Sequence, residues 1–145
     1  MADKDLVLLD TGLTRAAEAL GDITPRVMQR LLARFPEAAQ RFDSLCSWDR
    51  TPEVRARLEG EMVEQALYCL MRWLESPQEV EIILYGSVPH HAETLDVPPA
   101  MFTGLLEAVC DEIIATIPAD VGDELQLWQS LRADLVALIA RAALN

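Results

Sequence analysis

The chain has 145 residues, 51% of them hydrophobic, and sets 12 basic residues against 24 acidic ones for a formal charge of −12. That length suits one domain over residues 1–145, burying about 68–70% of its unfolded surface. The charge argues against nucleic acid or an anionic membrane as a partner. No apolar run approaches the ~20 residues a bilayer-spanning helix needs, and the start MADKDLVLLD lacks the basic flank and cleavage site of a secretion signal.

Leu6, Leu9, Leu13, Ala17 and Leu20 recur every three or four residues and stop at Gly21, which predicts a first helix. ITPRVMQRLLARF follows, with Thr24 as the expected N-cap and Pro25 at the first helical position, where its missing N–H costs nothing. This helix must end near Phe35, because a residue before proline is pushed out of the helical region. PEAAQRF reads as a short turn of helix and SLCSWDRTPE as a connector. Thr51-Pro52 repeats the cap-and-proline start.

The next helix carries Leu58, Met62, Ala66, Leu70 and Trp73 on one stripe until ESPQ breaks it. VEIILY is the one segment that could equally be a strand, but six residues cannot make a sheet alone. It leads through Gly86 and Pro89 to the chain's two histidines, His90 and His91. Asp96 and two prolines then start a helix lined by Phe102, Leu106, Val109, Ile113 and Ile117. Leu125, Trp128, Leu131, Leu135, Leu138 and Ala142 mark the buried face of the last one. The expected class is all-α, with six to eight helices of unequal length. Cys46, Cys69 and Cys110 form no metal or redox motif, so three reduced, buried thiols in a cytosolic protein are expected.

Within this helical pattern, LLARFPEAAQRFD (residues 31–43) resembles the junction of the B and C helices in globins. There a proline starts the C helix and a phenylalanine six residues later packs flat on the haem; here these are Pro36 and Phe42. HHAETLDVPPAMF is similar to the segment that follows the proximal histidine. That histidine is followed, six residues on, by an apolar residue, shortly after by a proline, and eleven residues on by an aromatic. His91, Val97, Pro98 or Pro99, and Phe102 fit those offsets better than a count from His90. Gly60 and Val63 fall where the E helix keeps a small and an apolar residue over the haem, and Trp128 is similar to a tryptophan common in bacterial single-domain globins. The resemblance runs from about residue 5 to residue 144.

The resemblance implies a globin fold of six to eight helices around a b-type haem, with iron held by a neutral imidazole nitrogen. Adjacent helical residues point about 100° apart, so only one histidine can face the iron. The expected ligand is His91, with His90 at the surface. Phe42, Leu32, Val63, Leu67, Val97, Phe102 and Leu106 are expected pocket walls, and Arg50, Arg55 and Arg57 are candidate partners for the haem propionates. Tyr68 and Tyr85 are expected to serve packing rather than the pocket.

On the distal side the chain departs from the family. Glu59 and Met28 occupy the expected distal and B-helix positions, and no third histidine exists. A buried, ionised Glu59 would be costly. Three arrangements stay open: Glu59 turned to water, Glu59 inside as a neutral acid, or a shifted register that brings Leu58 or Met62 over the iron.

The implied function is reversible binding of a diatomic gas (oxygen, carbon monoxide or nitric oxide) for storage, scavenging or sensing. No catalytic triad, phosphate loop or acid pair points to an enzyme, and any redox side activity would need an external reductase. Two alternatives are a haem-free regulatory module and an electron-transfer protein with Met28 or Met62 as sixth ligand.

Overall fold

The computed structural model describes residues 2–46 and 51–144. Among these it is all-α: α1 (Ala2–Leu20), α2 (Thr24–Arg34), α3 (Ala38–Leu45), α4 (Pro52–Trp73), α5 (Pro77–Glu93), α6 (Pro99–Ile114) and α7 (Gly122–Ala143). No helix among the described residues is long and apolar enough to cross a membrane. The three cysteines are free and buried.

Prolines set most of the boundaries. Phe35 leaves the helical region before Pro36, at φ −129° and ψ 79°, and its N–H still donates to the Leu31 carbonyl. Thr51 is the N-cap of α4, with its side chain accepting from the Val54 N–H, and Pro52 follows in the first turn. The start of α2 differs from expectation. Thr24 is already helical, Ile23 is the N-cap residue, and the Asp22 carboxylate accepts the Thr24 N–H at 3.0 Å. That bond holds the Asp22 carboxyl below its ordinary pKa.

VEIILY is not a strand. It lies inside α5, which starts at Pro77 after Ser76 and continues through Pro89 to Glu93. Val80, Leu84 and Val88 are buried at helical spacing. The histidines therefore sit in the last turn of a helix. Asp96, expected at the next helix start, instead takes a left-handed conformation at φ +57°, and Pro98 is the N-cap residue of α6.

The core gathers around α6 and α7. Leu106, Val109 and Ile113 of α6 meet Leu131, Leu135 and Leu138 of α7, and all are buried. Gly104 lets the end of α2 approach α6, since a Cβ there would lie 2.5 Å from the Phe35 ring. Gly12 does the same for α1 and α7: a Cβ would lie 2.5 Å from Trp128 Nε1. Beside that contact Glu124 is only 1% exposed. Its carboxylate takes a bidentate pair of hydrogen bonds from the Arg15 guanidinium, the Nη2 bond measuring 2.9 Å. The last helix accordingly buries Glu124 and Leu127 where the sequence pattern had favoured Leu125.

Candidate functional site

A cavity of about 340 Å³ lies between α2, α3, α4, α5 and α6, with α7 reaching it through Ile139. Its wall is apolar: Leu31, Phe42, Leu58, Met62, Ala66, Leu84, Val97, Met101, Phe102, Leu105, Leu106 and Ile139. The exposed side chains of Glu61 and Gln65 mark its mouth, and Arg41, Cys69, Ser87 and His91 complete the lining. The volume is at the lower end of the roughly 300–1,000 Å³ of small-molecule sites.

His91 is half-buried and lines the cavity, whereas His90 is exposed. The His91 Nδ1 lies 2.7 Å from the Ser87 carbonyl oxygen and 3.3 Å from the Ser87 hydroxyl. A carbonyl can only accept, so Nδ1 carries the proton and Nε2 is left with the free lone pair. The partner is the residue four positions back, one helical turn before the imidazole. Phe102 meets the imidazole edge to face at 5.0 Å between centroids. The His91 carbonyl accepts the Val97 N–H at 2.8 Å, which ties the following corner to the ring-bearing turn.

Of the residues expected in a pocket, His91, Phe42, Val97, Phe102 and Leu106 line this cavity together. Val63 and Leu67 do not. They line a second space of about 340 Å³ between α1, α2 and α4, together with Gly60, Leu13, Ile23 and Ile113. The reason is the rotation of α4, which turns Leu58, Met62, Ala66 and Cys69 to the cavity and Gly60, Val63 and Leu67 to the opposite side. Glu59 is not in the lining either, because the Arg55 guanidinium holds its carboxylate at 3.4 Å, one helical turn back. Leu58 and Met62 line the cavity in its place.

Met28 is buried in the core away from the cavity, and it is Leu31 of α2, not the half-buried Leu32, that reaches the wall. Arg55 is engaged by Asp43 at 3.0 Å and stacks over the Phe42 ring at 5.8 Å. Arg57 is exposed, and Arg50 lies outside the described residues. Tyr68 is exposed and donates to Glu79 at 2.6 Å, and Tyr85 is exposed as well. Trp128 is fully buried against α1.

Arg41, Gln65 and Ser87 were not singled out by sequence reasoning. Ser87 carries a readable signal, since it stands one helical turn before the histidine. Arg41 carries none beyond its place next to Phe42. Burial raises the Cys69 thiol, in the cavity wall, to a pKa of about 11, so it is a neutral group at physiological pH.

Among the described residues no group of three or more His, Cys, Asp or Glu side chains could hold a bare metal ion. A porphyrin brings four nitrogens of its own and asks the protein for one axial donor. An apolar slot with a single imidazole whose tautomer is already fixed suits that requirement. No protein-family model matches the chain, and no curated protein matches it.

Proposed function

We propose that this chain is a globin-fold haem protein in which His91 ligates the iron and the cavity receives a diatomic gas. The observation that carries the reading is the Nδ1–H bond from His91 to the Ser87 carbonyl at 2.7 Å, in a ring that lines an otherwise apolar cavity. Metal-ligating histidines characteristically donate their second nitrogen in this way, which fixes the ring and raises the basicity of the ligating nitrogen. Phe42 and Phe102 give flat apolar walls, as a macrocycle requires. Haem, when bound, would supply an iron with one position open to a gas and an electron count set by an external reductant.

The side of the cavity facing His91 along α4 offers Leu58, Met62 and Ala66, with Gln65 at the exposed mouth. Without an internal donor, oxygen lacks a hydrogen bond of about 1.5–3 kcal/mol that carbon monoxide does not need. The expected behaviour is weak oxygen retention, ready oxidation to the ferric form, and carbon monoxide binding largely spared. Absorption spectra of the protein supplemented with haemin, in oxidised, reduced and carbon monoxide forms, test the assignment. A Soret band that disappears in His91→Ala and returns with added imidazole is expected. A colourless protein that refuses haemin refutes it and leaves a haem-free module for apolar ligands.

A second reading is favoured by one observation: Met62 lies in the cavity wall and Met28 does not. A thioether from Met62 as sixth ligand would make the chain an electron-transfer protein. A ferric low-spin spectrum lost in Met62→Leu distinguishes it from a gas binder with an open position.

A further inference from the structure

We infer that Arg41 is the carboxylate receptor of the cavity, so that the ligand is an apolar body carrying a carboxylate at the mouth. The inference rests on the cavity being a ligand site, and it assigns to Arg41 the role the sequence had offered to Arg50, Arg55 and Arg57. Among the described residues, Arg41 and His91 are the cavity's only lining residues of basic type, in a chain of formal charge −12. Any anion drawn to this mouth must be held locally, against the field of the rest of the protein.

Two details together set Arg41 apart from the other described arginines. Its Nε is buried and has no hydrogen-bond partner, although its side chain as a whole is one-third exposed; Arg132 shares an unbonded buried Nε, but it does not line the cavity and has Asp111 at 3.5 Å. A buried guanidinium donor left unpaired is costly, so an acceptor placed there is rewarded. Its one ion pair among the described residues, Nη1 to Asp96 at 3.1 Å, is with a carboxylate whose side chain is 82% exposed. Such a solvated pair contributes little and is readily shared. Arg15 and Arg30, by contrast, are committed to the buried carboxylates of Glu124 and Glu112.

The chemistry is shared by two sources, a haem propionate and a free long-chain fatty acid. In either case Arg41 also contacts Asp96, in the corner that follows His91. Occupation of the receptor is thereby linked to the segment whose Val97 N–H is bonded to the His91 carbonyl.

The test uses Arg41→Met, which keeps the aliphatic stem, and measures the rate at which bound haemin or its dimethyl ester passes to excess albumin. The free acid should leave the variant about ten- to a hundredfold faster than the wild type, with the ester nearly indifferent to the substitution and the Soret position unchanged. Equal effects on acid and ester, or none on either, would overturn the role of Arg41 while leaving the haem assignment standing. If the wild type binds neither, the haem assignment falls. The same comparison is then made by equilibrium displacement of a fluorescent apolar probe with a long-chain fatty acid and its methyl ester. Discrimination that depends on Arg41 supports the receptor, and its absence overturns it.

Discussion

The α1–α7 contact and the space around His91 are built from the same kind of helix, yet one is filled and the other is hollow. In the first, Gly12 lets α1 close onto Trp128, which is 0% exposed, and the one buried charge there, Glu124, is answered by Arg15. In the second, bulky side chains from six helices stand back from a cavity of about 340 Å³. A guanidinium N–H, that of Arg41 Nε, is left without a partner there, as Trp128 Nε1 is in the packed contact. The α1–α2–α4 space has the same volume but no histidine or arginine in its lining. The two spaces thus differ in the basic groups of their linings and not in their volume.

If the packed contact carries stability and the hollow carries ligand, substitutions should separate the two. Trp128→Ala should cause the largest loss, about 3–5 kcal/mol in urea unfolding, with no direct effect on the cavity wall. A loss under 1 kcal/mol would mean that this contact is not the tight one. Gly12→Ala forces a Cβ toward Trp128 Nε1 and should cost about 1–3 kcal/mol, an overpacking penalty in a region that cannot relax. The same measurement checks it.

Two of the three buried thiols sharpen the contrast by pH. Burial raises Cys110, in the packed core, to a pKa of about 12 and Cys69, in the cavity wall, to about 11, both from an ordinary 9.0. A raised folded pKa for an acid means that the unfolded chain loses its proton first. Stability is therefore complete below pH 9 and falls as pH rises toward 11 to 12. By pH 10 each thiol should contribute about 1.4 kcal/mol of that loss. The two should separate only from about pH 11 upward, where Cys110→Ala should flatten more of the alkaline slope than Cys69→Ala, whatever each does to stability at pH 7. The smallest effect is expected from Gly60→Ala. No atom lies within 4 Å of the added Cβ, so helix propensity alone should stabilise by up to about 1 kcal/mol. Haemin retention should stay unchanged; a fall would show that the second space communicates with the first.

How much of this was legible beforehand differs from helix to helix. α2 and α4 were readable to within a residue or two, because Thr-Pro starts and the Phe35-Pro36 stop are local steric facts. α5 was not, because a six-residue apolar run between a Ser-Pro and a Gly has no period of its own. It becomes a helix by packing Val80, Leu84 and Val88 into the core. The facing of α4 was also unreadable. The helix is touched on two sides, so Leu58-Met62-Ala66 and Gly60-Val63-Leu67 are equally good stripes. Only the positions of the neighbouring helices choose which one lines the cavity.

The sequence by itself determined the helical class, the proline-set boundaries and the pairing of His91 with Phe102 at a fixed offset, since these depend on steric rules and spacings within a few turns of chain. The tertiary structure decided the rest. Which side of α4 faces His91, that Glu59 turns to Arg55, and that Arg41 meets Asp96 at the mouth all depend on how separate helices are rotated against one another. That rotation minimises empty volume and unpaired charge over the whole core, a quantity no local stretch of residues contains.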